Sequence, residues 1–185
     1  DADHIIGIGG GAVLDLAKVV AALAAGDSDP MDHAEVIGGG HPLPHTSLPF
    51  LALPTTSGTG SEVTANAVLT STEHRVKVSL RGPSMLATVA LVDPALTLSC
   101  PPLVTAQSGM DALTQCLEPL TSRFATPMVD ALATSGLRAA ARGLARAVAE
   151  GEDLDARTDM AYCSLMGGLS LANAKLGAVH GFAGP

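Results

Sequence analysis

HIIGIGGGAVLDLAK, residues 4–18, passes from an apolar run through three glycines into a helical repeat. HIIGIG reads as a short buried strand. AVLDLAKVVAALAAG (12–26) spaces its apolar residues at helical intervals and ends on a glycine. A strand, a glycine turn and a helix N-terminus together make an anion site. The bare N–H groups of Gly9, Gly10 and Gly11, and the positive end of the helix dipole, face the space beyond the strand. The same glycines also suit a tight turn that needs positive φ, and the spacing is not G-x-G-x-x-G. Both readings stand at this point.

Working outward, LPFLALP (48–54) reads as a second buried strand, closed by Pro54, and TTSGTGSE follows it at once. Thr55, Thr56, Ser57, Thr59 and Ser61 can donate to phosphate oxygens or to a carboxamide; a polar turn capping the next element is the structural alternative. Two small-residue loops, each after the carboxyl end of a buried strand, point to a dinucleotide, because ligands of open α/β sheets gather at that edge. NAVLTS and VKVSL alternate as a hairpin, and ATVALVDP (87–94) reads as another strand. From Pro102 the pattern is helical, over about 102–121, 127–149 and 153–174, with Pro119 and Pro127 bracketing a break. The chain therefore divides near residue 98. Residues 1–98 are expected to be part of an α/β, doubly wound sheet domain, and residues 99–185 part of an all-helical one.

The composition narrows the function. The 185 residues are 47% hydrophobic and 15% charged, enough to bury a core; aromatics are 2%, with no Trp and one Tyr. Base stacking on aromatic platforms is thereby disfavoured, and a net charge of −8 disfavours nucleic acid as a partner. Cys100, Cys116 and Cys163 lack framework spacing, which suits reduced thiols in a cytoplasm. No apolar run reaches membrane-spanning length, and no signal peptide is visible. RAAARGLARAVAEGEDLDAR (138–157) reads as a solvated face.

GMDALTQCLE (109–118) sets Asp111 and Gln115 four residues apart on one helix face among apolar neighbours. The pair could supply two oxygen ligands to a divalent metal. Spacing alone favours a structural reading, in which Asp111 accepts from a nearby helix N-terminus and Gln115 faces water. His180, in LGAVHGFAGP, is by itself more in keeping with a satisfied core histidine than with a ligand.

Taken in order, GIGGGAVLDLAK, LPTTSGTGSEVT, LVDPALTLSCPP, GMDALTQCLE, ATPMVDALA and LGAVHGFAGP resemble the iron-containing (group III) alcohol dehydrogenase family, over nearly the whole chain. The resemblance implies a Rossmann-like dinucleotide-binding domain followed by a helical metal-binding domain, a dehydroquinate synthase-like architecture. It implies that the chain lacks the family's first strands and last helices. It implies NAD or NADP as cofactor, a divalent metal (Fe²⁺ or Zn²⁺), a small alcohol or aldehyde substrate, and a homodimer. By similarity, Gly9, Gly10 and Gly11 approach the pyrophosphate, with Asp15 on the helix that follows. Thr55, Thr56, Thr59 and Ser61 line the phosphate and nicotinamide region, and Lys77 contacts the cofactor ribose. Asp111 and His180 match metal ligands, the catalytic centre. The sequence departs from the family at Ala12 (usually Ser), Gln115 (usually His) and Gly184 (often His). Gln115 could offer a weak neutral oxygen in the slot of an imidazole. The loss of an imidazole weakens a site for Fe²⁺ or Zn²⁺. It also leaves open a metal-independent reductase of an activated keto acid such as maleylacetate.

Overall fold

The computed structural model describes residues 3–183. In chain order its elements are β1 (Ile5–Gly9), α1 (Gly11–Leu23), α2 (Pro30–His33), β2 (Phe50–Pro54), β3 (Asn66–Ser71), β4 (Val76–Arg81), β5 (Val89–Ala90), α3 (Pro102–Leu120), α4 (Pro127–Ala149), α5 (Leu154–Ala174) and α6 (Ala178–Ala183). β1, β2 and β5 form a parallel sheet in the order β1-β2-β5, and β3 pairs antiparallel with β4. The architecture is the expected α/β unit followed by helices.

α1 is apolar on two sides. Leu14, Ala17 and Ala21 pack on Phe50 and Ala52 of the sheet, while Val19, Ala22 and Leu23 pack on Ala67 and Leu80 of the hairpin. A helix held between a sheet and a hairpin needs apolar residues over more than a single stripe, which is why 12–26 looks so uniformly hydrophobic. The helices after residue 100 enclose a separate core of small side chains, among them Ala112, Cys116, Ala133, Ala140 and Cys163. The three thiols are free, and the Cys116 and Cys163 sulfurs are 3.9 Å apart. Among the described residues no helix is long and apolar enough to cross a membrane.

Two expectations are corrected. The strand expected over 87–94 is only two residues long. Leu91 still donates to the Ala52 carbonyl, but Pro94 has no N–H, and the Asp93 carboxylate accepts from the Ala95 N–H to start a 3₁₀ turn over Pro94–Thr97. The second correction is at Arg157, within the stretch read as a solvated face. Arg142 and Arg146 do lie outside, paired with Asp159 and Asp153. Arg157 is buried and donates to the Gly151 and Cys100 carbonyls and to Thr105 Oγ1. It pins α5 to the chain that leads into α3.

Lys18, on α1, is fully buried. Its ammonium donates to Thr64 Oγ1 at 3.0 Å and to the Asn66 carbonyl at 2.9 Å, and lies 3.7 Å from Asp15. Burial lowers its pKa to about 8, against the opposing charges of Asp15 and Glu62. Between about 8 and the unfolded value of 10.5, the unfolded chain holds a proton that the native chain has shed. Rising pH therefore stabilises the fold through this group, by up to about 3 kcal/mol across the window. Urea unfolding of Lys18→Met against the natural chain, between about pH 8 and pH 10, should show the rise in the latter and its absence in the variant. Equal slopes would show that Lys18 keeps its proton in the interior as readily as in the unfolded chain.

Candidate active site

The β1–β2 register pairs Gly9 with Pro54, so both strands end at the same level and both small-residue loops begin side by side. The Thr55 N–H donates to the Gly9 carbonyl at 2.9 Å, joining the loops at their roots. The contact continues along them. A Cβ at Gly10 would stand 3.3 Å from Thr56 Oγ1, and one at Gly11 would stand 2.8 Å from the Thr59 side chain. The glycine turn is thus tight for lack of space, not for backbone sign: Gly10 has φ −75°, and among the described residues the positive-φ glycines are Gly40 and Gly60. This corrects the reading of the three glycines as a positive-φ turn. α1 starts there with no side-chain cap, leaving its first N–H groups open to an anion.

Asp15 and Ser61, expected at the dinucleotide, are turned toward each other. The Ser61 hydroxyl, on a residue only 2% exposed, donates to Asp15 Oδ1 at 2.6 Å, and the Val68 N–H donates to Asp15 Oδ2 at 2.9 Å. Both are corrected from ligand contacts to braces that bolt the second loop and the hairpin onto α1. Glu62 lies buried beside them, and burial raises its carboxyl above the usual range despite Lys18. Thr55, Thr56 and Thr59 keep partial or full exposure along the joined loops. Lys77 is exposed on β4 opposite Thr70, near the turn of the hairpin, and has no hydrogen bond or ion pair among the described residues.

The second loop also meets the helices. Gly60 has φ +59° and abuts the backbone of Gly168 on α5, and Gly58 abuts Ser108 on α3. One turn further along α3, Asp111 points at His180 of α6, with Oδ1 3.0 Å from Nε2. On the far side of the imidazole, Nδ1 is 2.5 Å from Glu118 Oε2. Both carboxylates are acceptors, so a neutral ring can donate to one of them alone and would aim its other lone pair at a carboxylate oxygen. Only a proton or a cation between the two relieves that opposition.

Glu118 also accepts from the Val179 N–H at 2.7 Å through Oε1. Burial opposes its charge, but the N–H groups of Gly177 and Val179 and the His180 ring outweigh burial and hold the carboxyl below its usual range. The helix N-terminus expected to bond Asp111 is therefore served by Glu118. Glu118 escaped the sequence reading, although its place seven residues after Asp111 puts it on the same helix face.

Gln115 does not face water, which corrects the structural reading of it. Its side chain is 3% exposed, and Nε2 donates to Asp111 Oδ2 at 3.2 Å and to the Gly58 carbonyl at 3.3 Å. Asp111 and His180 suit a divalent cation as a carboxylate and an imidazole converging on one point, with Glu118 orienting the ring from behind. Among the described residues no group of three His, Cys, Asp or Glu side chains converges to hold a metal. Gly184 lies outside the described residues.

The family profile described as "Iron-containing alcohol dehydrogenase" matches residues 1–94, and that of the "Fe-containing alcohol dehydrogenase family, C-terminal" matches residues 105–185. The chain is 45% identical over 183 residues to long-chain-alcohol dehydrogenase 1 of Geobacillus thermodenitrificans (strain NG80-2), covering 99% of itself and 46% of that protein. It is 38% identical over 178 residues to the NAD-dependent methanol dehydrogenase of Bacillus methanolicus, covering 96% of itself and 46% of that protein. Its structure superposes with a TM-score of 0.92 on sulfoacetaldehyde reductase from Bifidobacterium kashiwanohense in complex with NAD⁺, at 35% identity, over 97% of this chain and 47% of that one. The chain thus spans about half the length of the curated relatives it matches. With the two profiles falling in order on the two halves of the chain, and the joined loops facing the Asp111–His180 pair, this chain belongs to the iron-containing alcohol dehydrogenase family.

Proposed function

We propose that the protein containing this chain is an NAD(P)-dependent oxidoreductase that interconverts a small alcohol and its aldehyde with the help of a divalent cation. The observation that carries this reading is the meeting of Asp111 and the Nε2 side of His180, one helical turn beyond the point where α3 touches the second loop. The N–H groups at the start of α1, with the hydroxyls of Thr55, Thr56 and Thr59, bind the dinucleotide's phosphates. Asp15 and Ser61 hold that loop from behind. Asp111 and His180 hold the cation, and Glu118 keeps the His180 proton on Nδ1 so that Nε2 can donate a lone pair. When bound, a divalent cation lowers the pKa of an alcohol hydroxyl and polarises a carbonyl. A bound dinucleotide would supply the hydride acceptor for the alcohol carbon, the hydroxyl proton going to solvent, and in the reverse direction the hydride donor for the aldehyde. The likeness to long-chain-alcohol dehydrogenase 1 and to the NAD-dependent methanol dehydrogenase favours this over a metal-independent keto-acid reductase.

The test is turnover of NADH or NADPH with short aldehydes by protein stripped of metal and then supplied with Fe²⁺ or Zn²⁺. Activity that appears only with metal is expected. No oxidation of either dinucleotide under any metal condition refutes the reading; full activity in stripped protein favours the metal-independent one.

A further inference from the structure

Gln115 has one feature that packing does not explain. Its Oε1 is buried and has no partner among the described residues, while its NH₂ group serves two acceptors. The orientation follows from those neighbours. A backbone carbonyl and a carboxylate can only accept, so turning the amide round would set oxygen against oxygen twice. A buried carbonyl without a donor destabilises the fold. Methionine or leucine fills nearly the same space without that orphan, so stability alone does not account for an amide here. The groups it holds do. Gly58 lies at the centre of the second loop, and Asp111 is half of the pair that meets His180. One amide, donating to both, fixes the spacing between the wall read as nucleotide-binding and the wall read as cation-binding.

We propose that Gln115 is a positioning residue, not a cation ligand: it locks the 55–61 loop and the Asp111 carboxylate into a single spacing, at the expense of its own unpartnered oxygen. This rests on the functional reading above. The Asp111 oxygen it binds is Oδ2, which leaves Oδ1 facing His180. It follows that cation affinity and dinucleotide affinity both depend on the same side chain.

The experiment is Gln115→Met in the full protein, with Gln115→Leu as a second variant. It compares Mn²⁺ affinity by electron paramagnetic resonance, NADH affinity by its fluorescence, and the thermal midpoint. Mn²⁺ binding should weaken about tenfold or more, as when a partner behind a metal ligand is removed. NADH binding should weaken about fivefold, as for one lost hydrogen bond. The midpoint should stay level or rise. A loss confined to Mn²⁺, with NADH unchanged, would mark Gln115 as a ligand and overturn the proposal. Unchanged affinities with a lowered midpoint would overturn it in favour of plain packing. Wild-type protein that binds neither probe removes the functional reading and this inference with it; the wild-type titrations distinguish that outcome from failure of the inference alone.

Discussion

Gly60→Ala should lower stability by about 3–5 kcal/mol, among the largest single-residue effects expected of this chain. Gly60 sits at φ +59° and ψ 23°, where an L-residue pays for crowding between its Cβ and its own backbone. The surroundings are worse than the dihedral. An added Cβ would fall 2.5 Å from the Gly168 Cα, 2.7 Å from the Gly168 nitrogen and 2.8 Å from the Ser164 carbonyl oxygen. All three are backbone atoms of α5, so no flexible side-chain tip can swing away. Either the loop lifts off the helix or α5 shifts within its own core. Because the lifted loop carries Thr55, Thr56 and Thr59, dinucleotide affinity should fall with stability. Gly168→Ala meets the same obstacle from the other side, 2.6 Å from the Gly60 carbonyl oxygen. The two substitutions should therefore be far from additive when combined. Thermal or urea unfolding checks this, and a Gly60→Ala midpoint equal to that of the natural chain would mean that loop and helix are not in contact.

Asp111→Asn should abolish tight divalent-cation binding and lower kcat/KM about a thousandfold, while leaving the fold intact. The change preserves shape. Asparagine's oxygen can still accept from Gln115, and its NH₂ can donate to the lone pair of His180 Nε2, so the local hydrogen bonds survive in number. What disappears is the negative charge, and with it the main reason for a cation to settle there. Loss of a Lewis acid removes several kcal/mol of stabilisation from the developing alkoxide. Metal content of the purified variant, turnover and thermal midpoint together decide the matter. Retained metal and activity would move the centre away from Asp111. A collapsed midpoint would show that the carboxylate serves the core instead.

Much of the scaffold can be read from the sequence because its signals are local. The strand-glycine-helix stretch at 4–18, the hairpin at 66–81 and the three long helices are each specified by periodicity, by N-caps such as Thr126 and Asp153, and by prolines at 102 and 127. What escaped was set by distant partners. The strand at 87–94 is cut short by where Asp93 finds a donor. Arg157 looks like one more surface arginine until the chain end of the first half folds over it. Asp15 and Ser61 carry the right chemistry for a ligand, yet they are 46 residues apart in sequence and nothing in either stretch announces that they bond to each other. Gln115 was legible as an oddity but not as a donor, because its role depends on the carbonyl of Gly58, 57 residues away. Glu118 was within reach: extending the Asp111–Gln115 face by one further turn leads to it.

The Glu118 carboxylate has a wider consequence. The described residues of α6 run from Ala178 to Ala183. Its opening amides and its histidine ring are all gathered on one acidic group of a neighbouring helix. The imidazole and the start of the segment that bears it are thus held by the same carboxylate. The two members of the Asp111–His180 pair are held differently as a result: Asp111 is built into a long helix, whereas His180 is held from behind by the side chain of another helix.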